Sequence, residues 1–188
     1  MSVRDALMGL LTLGPAYGHQ LLFEIHTRLP HRETVNPGQV YATLNRLVAG
    51  GMILGAGATE ANLPLYKLSS DGKKGANSWL RGETAIDVSD WSEVLDVVLL
   101  TFTLPQRSVQ ETCQSIERQV EEWLAVDTVS SDSLRALVAV GRRHHAEALT
   151  LWLNEVAQHA SSPMHVTWGF NDARPGRGRR PNLVKQLP

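Results

Sequence analysis

The sequence predicts a mainly α-helical protein with one small β-hairpin. Three observations predict it. Three short apolar-periodic segments fill the first 50 residues and are parted by Gly14-Pro15 and Pro30. Two brief runs, Met52-Ile53-Leu54 and Leu65-Tyr66-Lys67-Leu68, flank a Gly-containing loop. From Asp90 onward the chain reads as helix, broken only at Pro105 and at Ser130-Ser131-Asp132.

The 188 residues allow one domain or two small ones, and 43% are hydrophobic, enough for a core. No apolar run approaches the ~20 residues of a membrane span. The opening MSVRDALMGLL lacks a signal peptide's long apolar stretch and cleavage site. The single cysteine, Cys113, cannot close an internal disulfide. These features fit a cytoplasmic protein.

Taken in order, Ser2 and Asp5 mark a helix start, with Leu7, Leu10 and Leu11 on one face. A second helix begins near Tyr17 and places Leu21, Leu22, Ile25 and Leu29 in one stripe. The third segment has Asn36 as N-cap, Pro37 at the first helical position and Gly50-Gly51 as stop. It predicts a helix over 37–49 with Val40, Leu44, Leu47 and Val48 buried. The opposite side carries Gln39, Ala42, Thr43 and Arg46, small or hydrogen-bonding residues suited to close contact with another surface. The hairpin follows, its two short strands spanning a loop of about ten residues. Ser69 or Ser70 then caps a fourth helix through Leu80.

Residues 82–89 read as a connector, followed by helices over about 90–103, 106–126 and 132–160. In the second of these, Val109, Cys113, Ile116, Val120 and Trp123 recur at the 3.5-residue spacing of a coiled-coil seam. The last carries Leu134, Leu137, Gly141, His145, Ala148, Trp152 and Val156 in a looser version. Together they predict a C-terminal helical dimerisation domain over 83–160. Its interface would run through Val109, Cys113, Ile116, Val120, Trp123 and Trp152.

Net charge is −1, but residues 1–82 carry 8 bases against 5 acids, 83–168 carry 5 against 13, and 169–188 carry 5 against 1. A basic head on an acidic body can meet a polyanion through one surface. Residues 161–188 read as a basic, mobile tail. Its Arg177-Gly178-Arg179-Arg180 has the composition of a minor-groove hook.

Three helices followed by a hairpin, with a basic bias, form a winged helix-turn-helix over 1–82. The third helix would enter the major groove, where Gln39 and Thr43 face base edges. Arg46, Lys67, Lys73 and Lys74 would anchor phosphates.

The stretches ALMGLLTLGPAYGHQLLFEI, VNPGQVYATLNRLVAGGMIL and PLYKLSSDGKK resemble the PadR family of bacterial transcriptional regulators. Pro37-Gly38-Gln39-Val40-Tyr41-Ala42-Thr43-Leu44-Asn45-Arg46-Leu47 fits that family's third-helix signature position by position. The resemblance covers about the first 80 residues and implies a homodimeric repressor that binds double-stranded DNA. It places Pro37, Gly38, Gln39 and Tyr41 at the DNA, with Asn36 at the helix entry. The family's usual His-Gly-Tyr is replaced by Tyr17-Gly18-His19, so either Tyr17 or His19 takes the second-helix contact. The family also implies a small aromatic effector, for which Trp79, Trp91, Trp123, Trp152 and Trp168 supply candidate aromatic surface. The alternative function is a protein-binding adaptor whose degenerate winged helix no longer binds DNA.

Other motifs point to no enzyme, metal or cofactor. Gly55-Ala56-Gly57 lacks the third glycine and following helix of a dinucleotide site. Adjacent His144 and His145 point about 100° apart on a helix and cannot chelate one metal together. No Ser/His/Asp set or carboxylate pair stands out.

Overall fold

The computed structural model describes residues 3–125 and 133–170. Helix α1 (Val3–Leu10) runs into a 3-10 turn, Leu11–Leu13, and ends at Gly14, whose φ of 142° suits a residue without a side chain. Ser2, read as the helix start, lies outside the described residues. A two-residue strand β1 (Ala16–Tyr17) precedes α2 (Gly18–Arg28). Helix α3 (Pro37–Ala49) matches its predicted bounds. The hairpin is β2 (Ile53–Ala58) and β3 (Pro64–Leu68), followed by α4 (Ser70–Leu80), capped by the Ser69 hydroxyl on the Gly72 N–H. Helices α5 (Trp91–Thr103), α6 (Val109–Ala125) and α7 (Ser133–Ala160) complete the elements of the described residues.

The hairpin differs from its sequence reading. Strand β2 continues through Gly55 and Gly57, so the connecting loop is residues 59–63 rather than about ten residues. Glycines weaken a strand, but here β3 holds the backbone in antiparallel register, Ile53 opposite Leu68 and Gly55 opposite Tyr66. The sheet also has a third strand that sequence reasoning missed. Ala16 pairs with Tyr66 and Tyr17 with Leu65, giving the order β1-β3-β2. Two residues carry no period-2 signal to read.

The stripes of α1 and α2 are buried as expected, and so are Val40, Leu44 and Leu47 of α3. Val48 is not: it is 44% exposed, on the far edge of the stripe. One hydrophobic cluster joins the winged helix to α5, α6 and α7. Helix α5 makes the bridge, contacting α1, α2 and α4. Polar groups reinforce the junction. Asp96 of α5 is buried and accepts from His31 Nε2 at 2.9 Å, from Arg32 Nε at 3.0 Å and from Arg32 Nη2 at 2.7 Å. His31 and Arg32 lie in the turn just before α3, so α5 holds the entry to that helix.

The predicted coiled-coil seam is internal. Val109, Cys113, Ile116 and Val120 are buried within one chain, and Trp123 packs against the same core. A 3.5-residue repeat serves an intramolecular helix pair as well as an intermolecular one, and α6 spends it on α7. The surface left to a partner is elsewhere. Leu134, Leu137, Gly141, His144, Ala148 and Leu151 of α7 keep heptad spacing and are all exposed. Leu137 is 67% exposed. By contrast Leu149, Leu153 and half-buried His145, Trp152 and Val156 face inward. The sequence pattern of α7 mixed these two faces.

The segment after α7 turns back onto the body. His165 Nε2–H donates to Phe102 O at 2.7 Å, and Trp168 N–H to Thr103 O at 3.1 Å. Residues 161–170 are therefore docked rather than a free tail. The remaining basic residues, including Arg177, Arg179 and Arg180, lie outside the described residues.

Candidate nucleic-acid interface

Helix α3 begins with a reciprocal cap. The Asn36 carboxamide oxygen accepts from the Gln39 N–H, and Gln39 Oε1 accepts from the Asn36 N–H, each at 3.0 Å. Pro37 has no N–H to satisfy, and the Val40 N–H bonds Asn36 O at 3.2 Å. The helix entry is thus fixed before any partner arrives.

With about 100° per residue, the buried stripe of α3 leaves Ala42, Asn45 and Ala49 at the centre of the outward face. Their small or short side chains let another surface approach the helix closely. One flank carries Gln39 and Arg46, the other Tyr41 and Val48. Asn45 was not singled out from the sequence, although its three-residue spacing from Ala42 was legible there. Thr43 is corrected: it is buried, its hydroxyl donates to Gln39 O at 2.8 Å, and it accepts from Arg46 Nη2 at 3.3 Å. It supports the face rather than belonging to it.

On the first flank, Gln39, Thr43 and Arg46 share a cavity of about 480 Å³ with Val3, Arg4, Leu47, Gly50 and Met52. Arg4 adds a second guanidinium beside the helix, paired to Asp5 at 2.7 Å and half-exposed. Arg4 was not singled out from the sequence. On the second flank the Tyr41 ring rests on Gly18. A Cβ at Gly18 would come within 2.6 Å of Tyr41 Cε1, so this contact requires glycine. Tyr41 remains 40% exposed beside the start of α2.

That start has no side-chain cap, since Tyr17 is extended and makes no capping bond. Tyr17 is half-buried and committed to the sheet through Leu65, whereas His19 is exposed in the first turn. Lys67 is exposed on β3 opposite Leu54. The hairpin tip, 59–63, carries Glu60 and no base. Lys73 and Lys74 lie exposed in the first turns of α4, where Lys74 is 3.8 Å from Asp71. This turn abuts the hairpin's base: a Cβ at Gly72 would sit 1.9 Å from Met52 O.

Three helices with the third presented outward, and a hairpin beside it, define the arrangement. It is a winged helix-turn-helix. No family model matches the chain, and no curated protein matches it. Among solved structures, Bacillus subtilis PadR in complex with operator DNA is similar over 84% of this chain and 98% of that one, at 17% identity and a TM-score of 0.40. The same protein with p-coumaric acid is similar over 85% and 99%, at 17% identity and 0.37. This chain's own element order, three helices followed by a hairpin and a fourth helix, sets the winged-helix arrangement.

Away from α3, the winged helix's partner region holds an aromatic cluster. Trp91 stands 5.3 Å from Trp152 and 6.1 Å from His145, centroid to centroid, and Trp123 stands 5.7 Å from His145. The His145 Nε2–H donates to Val88 O at 2.9 Å. Arg142 covers Trp123, 4.6 Å above its ring. Trp79 is buried and Trp168 is held by Arg28, so neither joins this cluster. Cys113 is a buried thiol pushed up to about 12 by loss of solvent and by Glu117, which makes it inert near neutrality. Among the described residues no group of His, Cys, Asp and Glu could hold a metal, and no helix is long and apolar enough to cross a membrane.

Proposed function

We propose that this chain is a sequence-specific DNA-binding transcriptional regulator that acts as a cytoplasmic homodimer and represses. The observation that carries the reading is the outward face of α3, small at its centre and hydrogen-bonding at its edges, standing clear of the core. An α-helix with that face fits the major groove. Gln39, Asn45 and Arg46 read or approach base edges. Tyr41, His19 and the uncapped start of α2 take a phosphate, which the helix dipole favours. Arg4 and Lys67 take phosphates on either side, with Asn36, Pro37 and Gly38 packed at the helix entry. Lys73 and Lys74 serve only if the DNA reaches the hairpin's base.

The dimer forms, in this reading, through the exposed heptad face of α7. Gly141 and Ala148 allow close helix approach, and Leu134, Leu137 and Leu151 bury apolar surface. The Trp91, Trp123, Trp152 and His145 cluster, next to α5, receives a small aromatic effector. Asp96 on the same helix holds Arg32 and His31, which gives such a ligand a route to the entry of α3.

The test is selection of bound sites from a randomised duplex library by the full chain. An inverted repeat with half-sites one helical turn apart, ~34–36 Å, is expected. Absence of any enriched sequence overturns the reading. One observation favours the rival adaptor: the hairpin tip offers Glu60 and no base to a phosphate backbone. An adaptor would enrich no DNA at any salt concentration.

A further inference from the structure

We infer that Gln39 reads the major groove as a hydrogen-bond donor only, and so selects guanine or thymine at the base it meets. The inference rests on the DNA-binding reading above and narrows it to the chemistry of one side chain.

An unconstrained glutamine amide pairs with adenine through both of its polar atoms. Its oxygen accepts from N6 and its nitrogen donates to N7. Gln39 is not unconstrained. It occupies the third position of α3, and the atom turned back toward Asn36 N–H, 3.0 Å away, must be an acceptor. The hydrogen bond therefore assigns Oε1 to the cap and Nε2 to the outside. The return bond, Gln39 N–H to Asn36 Oδ1, holds the same turn from the other side. A third bond, Thr43 Oγ1–H to Gln39 O at 2.8 Å, fixes the backbone beneath. The two Nε2 hydrogens have no acceptor among the described residues, and the side chain is exposed.

Reading adenine through both atoms would require Oε1 to leave Asn36 and strand that N–H at a dehydrated interface. The capped amide instead turns its two hydrogens outward and its oxygen back toward Asn36. Guanine presents two acceptors in the major groove, O6 and N7, and thymine presents O4. Adenine presents N7 beside a competing N6 donor, and cytosine presents only its N4 donor. The order of preference follows as guanine or thymine, then adenine, then cytosine. Nothing in the residue type distinguishes this from the adenine pairing; the cap geometry does.

The test compares sites selected by the full-length wild type, Gln39→Glu and Gln39→Ala from one randomised duplex library. Thermal unfolding is followed in parallel. Glutamate preserves the cap, because one carboxylate oxygen still accepts from Asn36, but it turns an acceptor outward. The expected result is guanine or thymine at one position per half-site for the wild type, replaced by cytosine or adenine for Gln39→Glu. That variant should unfold like the wild type and lose roughly tenfold on the wild-type site relative to its own. Gln39→Ala should lose preference at that position alone. Adenine selected by the wild type at the position Gln39→Ala relaxes would overturn the inference, since the amide then reads through both atoms. Identical sites for all three proteins would overturn it too, since Gln39 then touches no base. Both outcomes leave DNA binding standing. Failure of the wild type to enrich any site removes the DNA-binding reading itself, and the inference with it.

Discussion

Arg28 and Glu24 form an ion pair at 2.7 Å inside α2, their side chains 0% and 1% exposed. The guanidinium does more than neutralise Glu24. It donates to Thr103 O at 3.1 Å, to Trp168 O at 3.0 Å and to Gly169 O at 2.8 Å, and lies 4.9 Å from the Trp168 ring centroid. One side chain thus ties the winged helix, the end of α5 and the segment following α7. A planar fork with five donors can serve these directions at once, and an ammonium cannot.

Removing Arg28 should therefore be costly. Arg28→Ala breaks a fully buried ion pair from one side, and an expected loss of about 3–5 kcal/mol follows. Replacing both partners, Glu24→Gln with Arg28→Met, should cost less than Arg28→Ala alone, by denaturant unfolding. Arg28→Lys should retain the charge pair yet loosen the returning segment, seen as faster hydrogen exchange at the Trp168 amide. Unchanged exchange in Arg28→Lys would show that the clasp does not hold that segment.

The dimer prediction separates two helical faces. Leu137→Glu places a charge on the exposed face of α7, where the single chain tolerates it. It should yield a folded monomer by sedimentation, against a mass twice 20.7 kDa for the wild type. Ile116→Lys should not yield a monomer of that kind. Its side chain is fully buried within one chain, so the change buries an unpaired charge and should unfold the protein. A folded, monomeric Ile116→Lys would restore the α6 seam as the interface.

The seam shows where sequence reasoning stops. Val109, Cys113, Ile116 and Val120 announced a buried stripe, and they form one. Spacing reports that a face is covered, not which helix covers it. The same limit applies to Thr43, which the spacing placed on the outward side of α3 but which is buried, its hydroxyl turned to its own backbone. Helix bounds were legible because Asn36, Pro37, Ser69 and Asp90 act locally, through the first turn. Strand β1 was not legible, because Ala16 and Tyr17 are extended only through pairing with β3, some 50 residues away in sequence. At the candidate interface the spacing of α3 offered Gln39 as a candidate, and the family resemblance offered Tyr41. It could not show that Gly18 seats Tyr41, or that Asn36 occupies the Gln39 oxygen.

Gly18 provides a test of that seating. Gly18→Ala drives a methyl to within 2.6 Å of the Tyr41 ring, so the ring must move. Alanine is a better helix former than glycine, which offsets part of the crowding. Stability should change little, while DNA affinity should fall by the amount seen in Tyr41→Phe or more. Wild-type affinity in Gly18→Ala would show that the Tyr41 position is immaterial to binding.

The last prediction concerns Glu93 in the first turn of α5. Its side chain is buried near Asp87 and Asp90, and burial is the largest influence, pushing its carboxyl above the usual glutamate range. The backbone hydrogen bond from Asp87 opposes that shift without cancelling it. An acid raised on folding binds its proton more tightly in the native state than in the unfolded one. Stability from this group is therefore greatest below its unfolded value, near 4.5, and is lost as pH rises through the folded value. Glu93→Gln keeps an oxygen to accept the Asp87 N–H and removes the charge. Its Tm should exceed the wild type's at pH 7 to 8, and the gap should close on acidification toward and below about 4.5. The measurement is thermal unfolding of both proteins across that range at fixed ionic strength. A gap independent of pH would mean that the substitution acts through packing. A Tm below the wild type's at neutral pH would mean that the ionised carboxylate is held by its surroundings, as an N-terminal helix position favours.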